Sequence, residues 1–381
     1  MTVNDYARIS AVDWSDKLDK FRGRSLFRPL RKFEMADSPY THAIKPADDG
    51  HCPFLVDNLC YIHSQNGAEA KPSICQLFPY CFNETPSGVY ATVSFVSMGV
   101  VYNSGKALVE QRELLQGKLA EFQKLFPNHH PNWSQLQLMV GEPLSWQDYL
   151  KIEEALIERI KDKSKPIDRR FLEASRYLID EAMVRRNRAS QDKAPPAEVA
   201  EGKKLKRLDL ELLVALQKVY FPISPLGKGE GDFSLAGFLG QALFGTFLTG
   251  TKIRLPGKSF TIGQLALLPW PAQDKDIEDL LYRYFFLRIF GKLYFGAGFG
   301  QLSLIAGFHH LAVLLALIKL QAKALALSRE APSVSLLDVV AAIRQLEKRL
   351  GEMKLGGYAA SLLELLLFSP GRVRRILDTG I

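Results

Sequence analysis

The residues with most chemistry to offer are Cys52, Cys60, Cys75 and Cys81, the only cysteines in the chain, all within residues 48–82 of 381. Thiolates are soft donors that suit zinc or iron–sulfur centres rather than magnesium or calcium, and they also serve redox chemistry. Seven residues separate Cys52 from Cys60, fourteen separate Cys60 from Cys75, and five separate Cys75 from Cys81. A structural zinc site usually takes paired ligands about two to four residues apart, because a tight knuckle presents two thiolates to one ion. No pair here is that close. Iron–sulfur clusters accept wider loops, since different thiolates address different irons. His51 and His63 stand beside the first two cysteines as spare donors. The competing reading is four partly buried thiols without a metal.

The words around the cysteines carry a resemblance. GHCPFLVDNLCYIHSQNGAEAKPSICQLFPY, residues 50–80, resembles the signature of the YkgJ-type zinc- or iron-chelating cysteine-cluster proteins. It is especially similar to the branch that includes the flagellin lysine-N-methylases. Cys52, Cys60 and Cys75 fall on three family cysteines, and Phe54, Leu55, Ile62, His63, Phe78 and Pro79 on flanking positions. The strong match covers about 30 residues; a weaker likeness runs into the aromatic-rich 280–296. The resemblance implies thiolate ligation of zinc or an iron–sulfur cluster by Cys52, Cys60 and Cys75. Cys81, not a family position, is the candidate fourth ligand, and His63 a hydrogen-bonder that orients the thiolates. For the nearest branch it implies S-adenosylmethionine as cofactor and a protein lysine as substrate. The family carries a further cysteine cluster ahead of a stretch like TVNDYARISAVDW, and here that stretch begins at Thr2. The reading therefore expects further ligands to be encoded ahead of Met1. A later family cysteine is replaced by Ser97, Met98 and Gly99.

The elements that must hold these residues follow from pattern. Residues 1–47 read as an irregular, partly helical lead-in. Its basic run of Lys17, Lys20, Arg22, Arg24, Arg28, Arg31 and Lys32 is read as a solvated face rather than a nucleic-acid contact. Asp-Asp-Gly, Cys-Pro and Asn-Gly punctuate 48–82 and exclude long helices there. A region so rich in turns buries little on its own, which gives a metal tie physical sense. Residues 88–102 are β-branched and aromatic and predict a strand in a short ribbon. From Ser104, a candidate N-cap, leucines mark a helix ending before Pro127. Helices are predicted over 146–160 and 171–184 around the Lys165–Pro166 break, then over 208–219, 276–294, 302–328, 335–350 and 358–368.

The fold class is thus mainly α: a loop-rich cysteine-cluster region with a short β-ribbon, followed by a helical bundle. The division is 1–103 for the cysteine-cluster region, 104–184 for a helical extension, 185–207 for a polar linker and 208–381 for a C-terminal helical domain. Residues 233–251 and 302–318 approach the length of a membrane span. Their glycines and polar residues, with a mean hydropathy of −0.04 for the chain, favour buried helices over transmembrane segments.

Charge and motifs narrow the function. The net charge of +8 reads as a solvated surface enriched in Lys and Arg. MTVNDYARIS has neither the basic start nor the apolar run of a signal peptide, which points to the reducing cytoplasm and to metal or redox use of the thiols. Gly296, Gly298 and Gly300 form a G-x-G-x-G of the kind that lets backbone approach a methyl-donor cofactor. That motif needs a preceding strand, and the preceding segment reads as helix, so a glycine turn is expected. His309-His310 is expected to be a core pair and His129-His130 a surface pair rather than ligands. Two classes remain: a metal-binding cysteine-cluster protein, with protein-lysine methyl transfer as its enzymatic variant, and a helical interaction protein whose cluster has degenerated. No catalytic residue is assigned, and oligomeric state is left open.

Overall fold

The computed structural model describes every residue except 16, 18–20, 32–37, 49, 58, 190–204, 224–251, 353–357, 368 and 379–381. Strands among the described residues occur only as two-stranded sheets, and the remaining regular structure is helical, so the mainly-α expectation holds at that level. The chain divides into two compact units, one of Met1–Phe82 with Lys106–His130, the other of Asn83–Gly105 with Pro131–Ile381. This division cuts across the expected boundaries. Residues 83–103 belong with the helical unit, and the helix Arg112–Leu125 belongs with the cysteine region. The expected linker lies mostly outside the described residues; the helix before it, Ile167–Ala189, runs five residues past the expected end at 184.

The first unit is held by short elements. Its opening helix, Val3–Ser10, starts with a capping box: the Thr2 hydroxyl accepts the Asp5 N–H at 3.1 Å, and the Asp5 carboxylate accepts the Thr2 N–H at 3.1 Å. Strands Phe27–Pro29 and His42–Ile44 pair antiparallel, as do Leu55–Val56 and Leu59–Cys60. Two short helices, Tyr61–Asn66 and Ser73–Leu77, carry the rest of the cysteine segment. The core is correspondingly small, built around Ile9, Trp14, Phe21, Leu26, Phe54 and Ile62.

The second unit is organised around one helix, Leu304–Ser328. Its apolar residues occupy the whole circumference, and such a helix must be covered on all sides. It is long and apolar enough to cross a membrane, yet 83% of its most apolar window is buried inside the protein. The helices Ile167–Ala189, Arg207–Tyr220, Leu336–Glu352, Tyr358–Leu367 and Pro370–Asp378 all pack against it. The other stretch weighed as a span, 233–251, lies outside the described residues.

Two local expectations are corrected. The strand proposed over 88–102 ends at Val93, and Met98–Val101 is a helical turn. The cause is a serine turn: the Ser94 hydroxyl accepts the Val96 N–H at 3.3 Å and the Ser94 carbonyl accepts the Ser97 N–H at 3.2 Å. Ser104 caps no helix. Its N–H and its hydroxyl both donate to the Gly99 carbonyl, at 2.8 and 3.1 Å, and the next α-helix begins only at Arg112.

The G-x-G-x-G stretch is a turn between the helices Lys275–Phe290 and Leu304–Ser328, as expected. It folds back tightly enough that a Cβ on Gly298 would run into the Lys292 carbonyl oxygen, and one on Gly307 into that of Tyr294. Both obstructing atoms are backbone and cannot swing aside. Gly298→Ala is therefore expected to lower stability by at least about 3 kcal/mol in urea unfolding. Gly263→Ala, whose Cβ would meet only Thr261 at 3.9 Å, is expected to change it by less than about 1 kcal/mol.

Candidate metal centre

The cysteine segment is shaped by its own backbone. The hairpin sets Leu55 opposite Cys60, and its turn passes through Asp57 at φ 49°. The Cys52 carbonyl accepts the Leu55 N–H at 2.9 Å, and the Phe54 carbonyl accepts the Tyr61 N–H at 2.7 Å. These bonds tie Cys52 to the hairpin that bears Cys60, with Phe54 between them pointing into the core at 1% exposure. The helix Tyr61–Asn66 stops at Gly67, whose φ of 83° suits glycine. The chain then returns through Pro72, whose carbonyl accepts the Cys75 N–H at 2.8 Å.

Asp5 pins this return to the opening helix. Its carboxylate accepts the Ser73 N–H at 3.1 Å and the Ser73 hydroxyl as well. Burial alone would raise its pKa, but the hydrogen bonds from Ser73 and Thr2 outweigh burial and hold it below the usual carboxylate value. Arg8 reinforces the contact by donating to the carbonyls of Ala70 and Lys71, at 2.5 and 3.0 Å.

Cys75 is the thiol that feels two of the others. Its pKa is pushed up to about 11, first by burial and then by the charges of Cys52 and Cys60, while Lys71 and the Met1 amine pull it down. Cys52, Cys60 and Cys75 therefore share one electrostatic neighbourhood although they lie up to 23 residues apart. All four cysteines are thiols; Cys52 is exposed and the others are half-buried. Cys81 lies on the strand Tyr80–Thr85, its Sγ 3.8 Å from the Pro79 carbonyl. His51 and His63 are exposed.

Two groups that sequence reasoning missed share this neighbourhood. The Met1 amine donates to the His42 carbonyl at 2.7 Å, and burial lowers its pKa against the charges of Asp5 and Cys75. The Tyr40 hydroxyl is buried without a hydrogen-bond partner among the described residues, and its pKa is pushed up to about 12 by burial and then by Asp5 and Cys75. Asp5, which binds Ser73, was missed as well, although the Thr2-x-x-Asp5 capping pattern is a local signal for it.

As a donor set, three thiols suit a soft metal in kind. In position they stop short: among the described residues no group of three or more Cys, His, Asp or Glu side chains is drawn together closely enough to hold an ion. Holding an ion would require such side chains to draw closer together.

One histidine pair is buried and the other exposed, as expected. His309 and His310 lie in the Leu304–Ser328 core, each with its own hydrogen-bond partners. His129 is exposed and packs edge-on against Phe122.

No protein-family model, curated protein or solved structure matches this chain.

Proposed function

We propose that this chain is a metal-binding cysteine-cluster protein that works in the reducing cytoplasm. In this reading Cys52, Cys60 and Cys75 hold zinc or an iron–sulfur centre, with Cys81 as the candidate fourth thiolate. The observation that supports it is that backbone hydrogen bonds tie Cys52 to the hairpin bearing Cys60, while the charges of both act on the Cys75 thiol. The resemblance of residues 50–80 to the YkgJ-type cluster proteins supports the same three ligands. A bound ion would cross-link three short elements whose own core is small, and so supply folding energy that the turn-rich segment lacks. Protein-lysine methyl transfer from S-adenosylmethionine is the enzymatic extension of this reading, and it rests on the resemblance alone. Transfer of labelled methyl groups to flagellin by metal-loaded protein tests that extension.

The test of metal binding is elemental analysis and the visible spectrum of anaerobically purified protein. Stoichiometric zinc, or the charge-transfer absorbance of iron–sulfur, is expected in the parent chain, and Cys60→Ser is expected to lose most of it. Cys52→Ser is the companion variant, because Cys52 is exposed and its replacement leaves the core untouched. Unchanged metal content in both folded variants overturns the ligand assignment.

A further inference from the structure

Two of the three proposed ligands share one hairpin, and the third does not. The Cys52 carbonyl accepts the Leu55 N–H, and Leu55 pairs with Cys60 across the strands. Cys75 follows Cys60 only after fourteen intervening residues. Bringing the ends of such a loop together costs conformational freedom, and an arm already held in place avoids that cost.

The opening helix, Val3–Ser10, supplies the hold. Its Asp5 carboxylate accepts the Ser73 N–H at 3.1 Å and the Ser73 hydroxyl, two positions ahead of Cys75. The same carboxylate accepts the Thr2 N–H at 3.1 Å, so one group joins the starts of two helices. Arg8 donates to the Ala70 and Lys71 carbonyls at 2.5 and 3.0 Å and lies 3.3 Å from Asp5. Gln76 braces the same turn, its amide donating to the Glu69 and Lys71 carbonyls at 3.1 and 2.8 Å. Hydrogen bonds to ionised groups are about twice as strong as neutral ones. The Asp5 side chain is 8% exposed, so water competes little for these.

The helix that grips the arm is itself anchored. Ile9 is buried in the small core, and its carbonyl accepts the Trp14 indole N–H at 2.8 Å. The Tyr6 ring stacks on His42 at 3.7 Å and meets Phe27 edge-on at 5.8 Å. The Thr41 N–H donates to the Met1 carbonyl at 2.9 Å and ties down the start of the helix. Asp5 and Arg8 therefore act from a fixed base.

We infer that Asp5 and Arg8 position Cys75 for metal: the opening helix presets the arm that carries the third thiolate. Neither residue is a ligand. Their role rests on the metal reading proposed above and adds to it the element that fixes the long loop.

The experiment is a zinc titration of the full chain against a chelator of known affinity, with urea unfolding of each metal-free variant as reference. Asp5→Asn keeps the size of the side chain and removes its charge, and is expected to weaken zinc binding about tenfold or more. Ser73→Ala is expected to weaken it about threefold or more. Ser73→Thr, which restores a hydroxyl, is expected to recover most of that loss. Thr2→Ala is the control for a merely structural effect. It removes the hydroxyl that accepts the Asp5 N–H at 3.1 Å and so weakens the same helix at its N-cap, with the Ser73 contact left in place. Thr2→Ala is expected to lose stability in urea and keep the parent zinc affinity. Unchanged zinc affinity in Asp5→Asn overturns the positioning role, as does an equal loss in Thr2→Ala, and either result leaves the ligand assignment standing. A parent chain that takes up no zinc overturns the positioning role together with the zinc form of the ligand assignment.

Discussion

Lowering the pH from 7 to 4.5 is expected to cost the second unit on the order of 5 kcal/mol, most of it through two adjacent histidines. His309 and His310 are at 0% and 1% exposure within the Leu304–Ser328 helix. The Leu367 carbonyl can only accept, so Nδ1 of His309 carries the proton that spans their 2.8 Å contact. Nε2 of neutral His309 then accepts from the Ser175 hydroxyl at 2.7 Å. The Tyr220 hydroxyl and Nε2 of His310 share a hydrogen bond at 2.6 Å. Burial lowers the His309 pKa from 6.5 to about 4, partly opposed by the Leu367 bond. Burial and then the nearby Arg288 lower that of His310 to about 3. Both values are depressed on folding, so the stability they represent is fully present above the unfolded pKa of about 6.5 and is lost as the pH falls toward 4 and 3. Each therefore contributes about 2–3 kcal/mol over this interval. Urea unfolding followed by circular dichroism at pH 7 and pH 4.5 measures the loss. His309→Gln and His310→Gln keep an acceptor while removing the titration, and each is expected to remove about half of the pH dependence. An unchanged pH dependence in the double variant would assign it to other groups.

The second large effect is expected at Glu153. Its carboxylate pairs with Lys292 at 3.0 Å, with side-chain exposures of 8% and 1%. The Tyr149 hydroxyl donates to it at 2.5 Å, and the buried Tyr294 hydroxyl lies beside Tyr149. The Lys292 ammonium also donates to the Phe290 carbonyl at 2.8 Å and sits 3.3 Å from the centre of the Tyr90 ring. Burial pushes the Glu153 pKa up and that of Lys292 down, and each partner's charge opposes the shift of the other. Glu153→Leu leaves a buried ammonium without its counter-ion, and should cost about 3–5 kcal/mol in urea unfolding. Lys292→Met should cost a similar amount for the mirror-image reason. The double variant Glu153→Leu, Lys292→Met should be less destabilised than either single one, because the desolvation of both charges disappears together. A double variant whose loss equals the sum of the two single losses would show that the pair is not coupled.

The sequence carried the architecture where periodicity is local. The helices around Lys165–Pro166, and the all-round apolar 302–328, follow from residues within a few turns of one another. The glycine turn at 296–300 was legible because a helical pattern precedes it where a methyl-donor loop needs a strand. The ribbon was overextended because β-branched composition continues to Val101, while the turn that ends it depends on single hydrogen bonds of Ser94 and Ser97. At the thiols, spacing named the donors but not what surrounds them. Met1 and Tyr40 feel the charge of Cys75 through tertiary packing, which no local spacing encodes. The same holds for Glu153 and Lys292, which lie 139 residues apart and give no sequence signal as a pair.

The central helix also has a consequence for biosynthesis. Leu304–Ser328 leaves the ribosome before Leu336–Glu352, Tyr358–Leu367 and Pro370–Asp378, the three helices that later cover part of it. At translation rates of roughly 5–20 residues per second, it spends several seconds as a nascent segment that the membrane-insertion machinery could read as a span. A message truncated after Ser328 makes that exposure permanent. Its product would retain the cysteine region and yet present 25 largely apolar residues to chaperones, proteases and membranes.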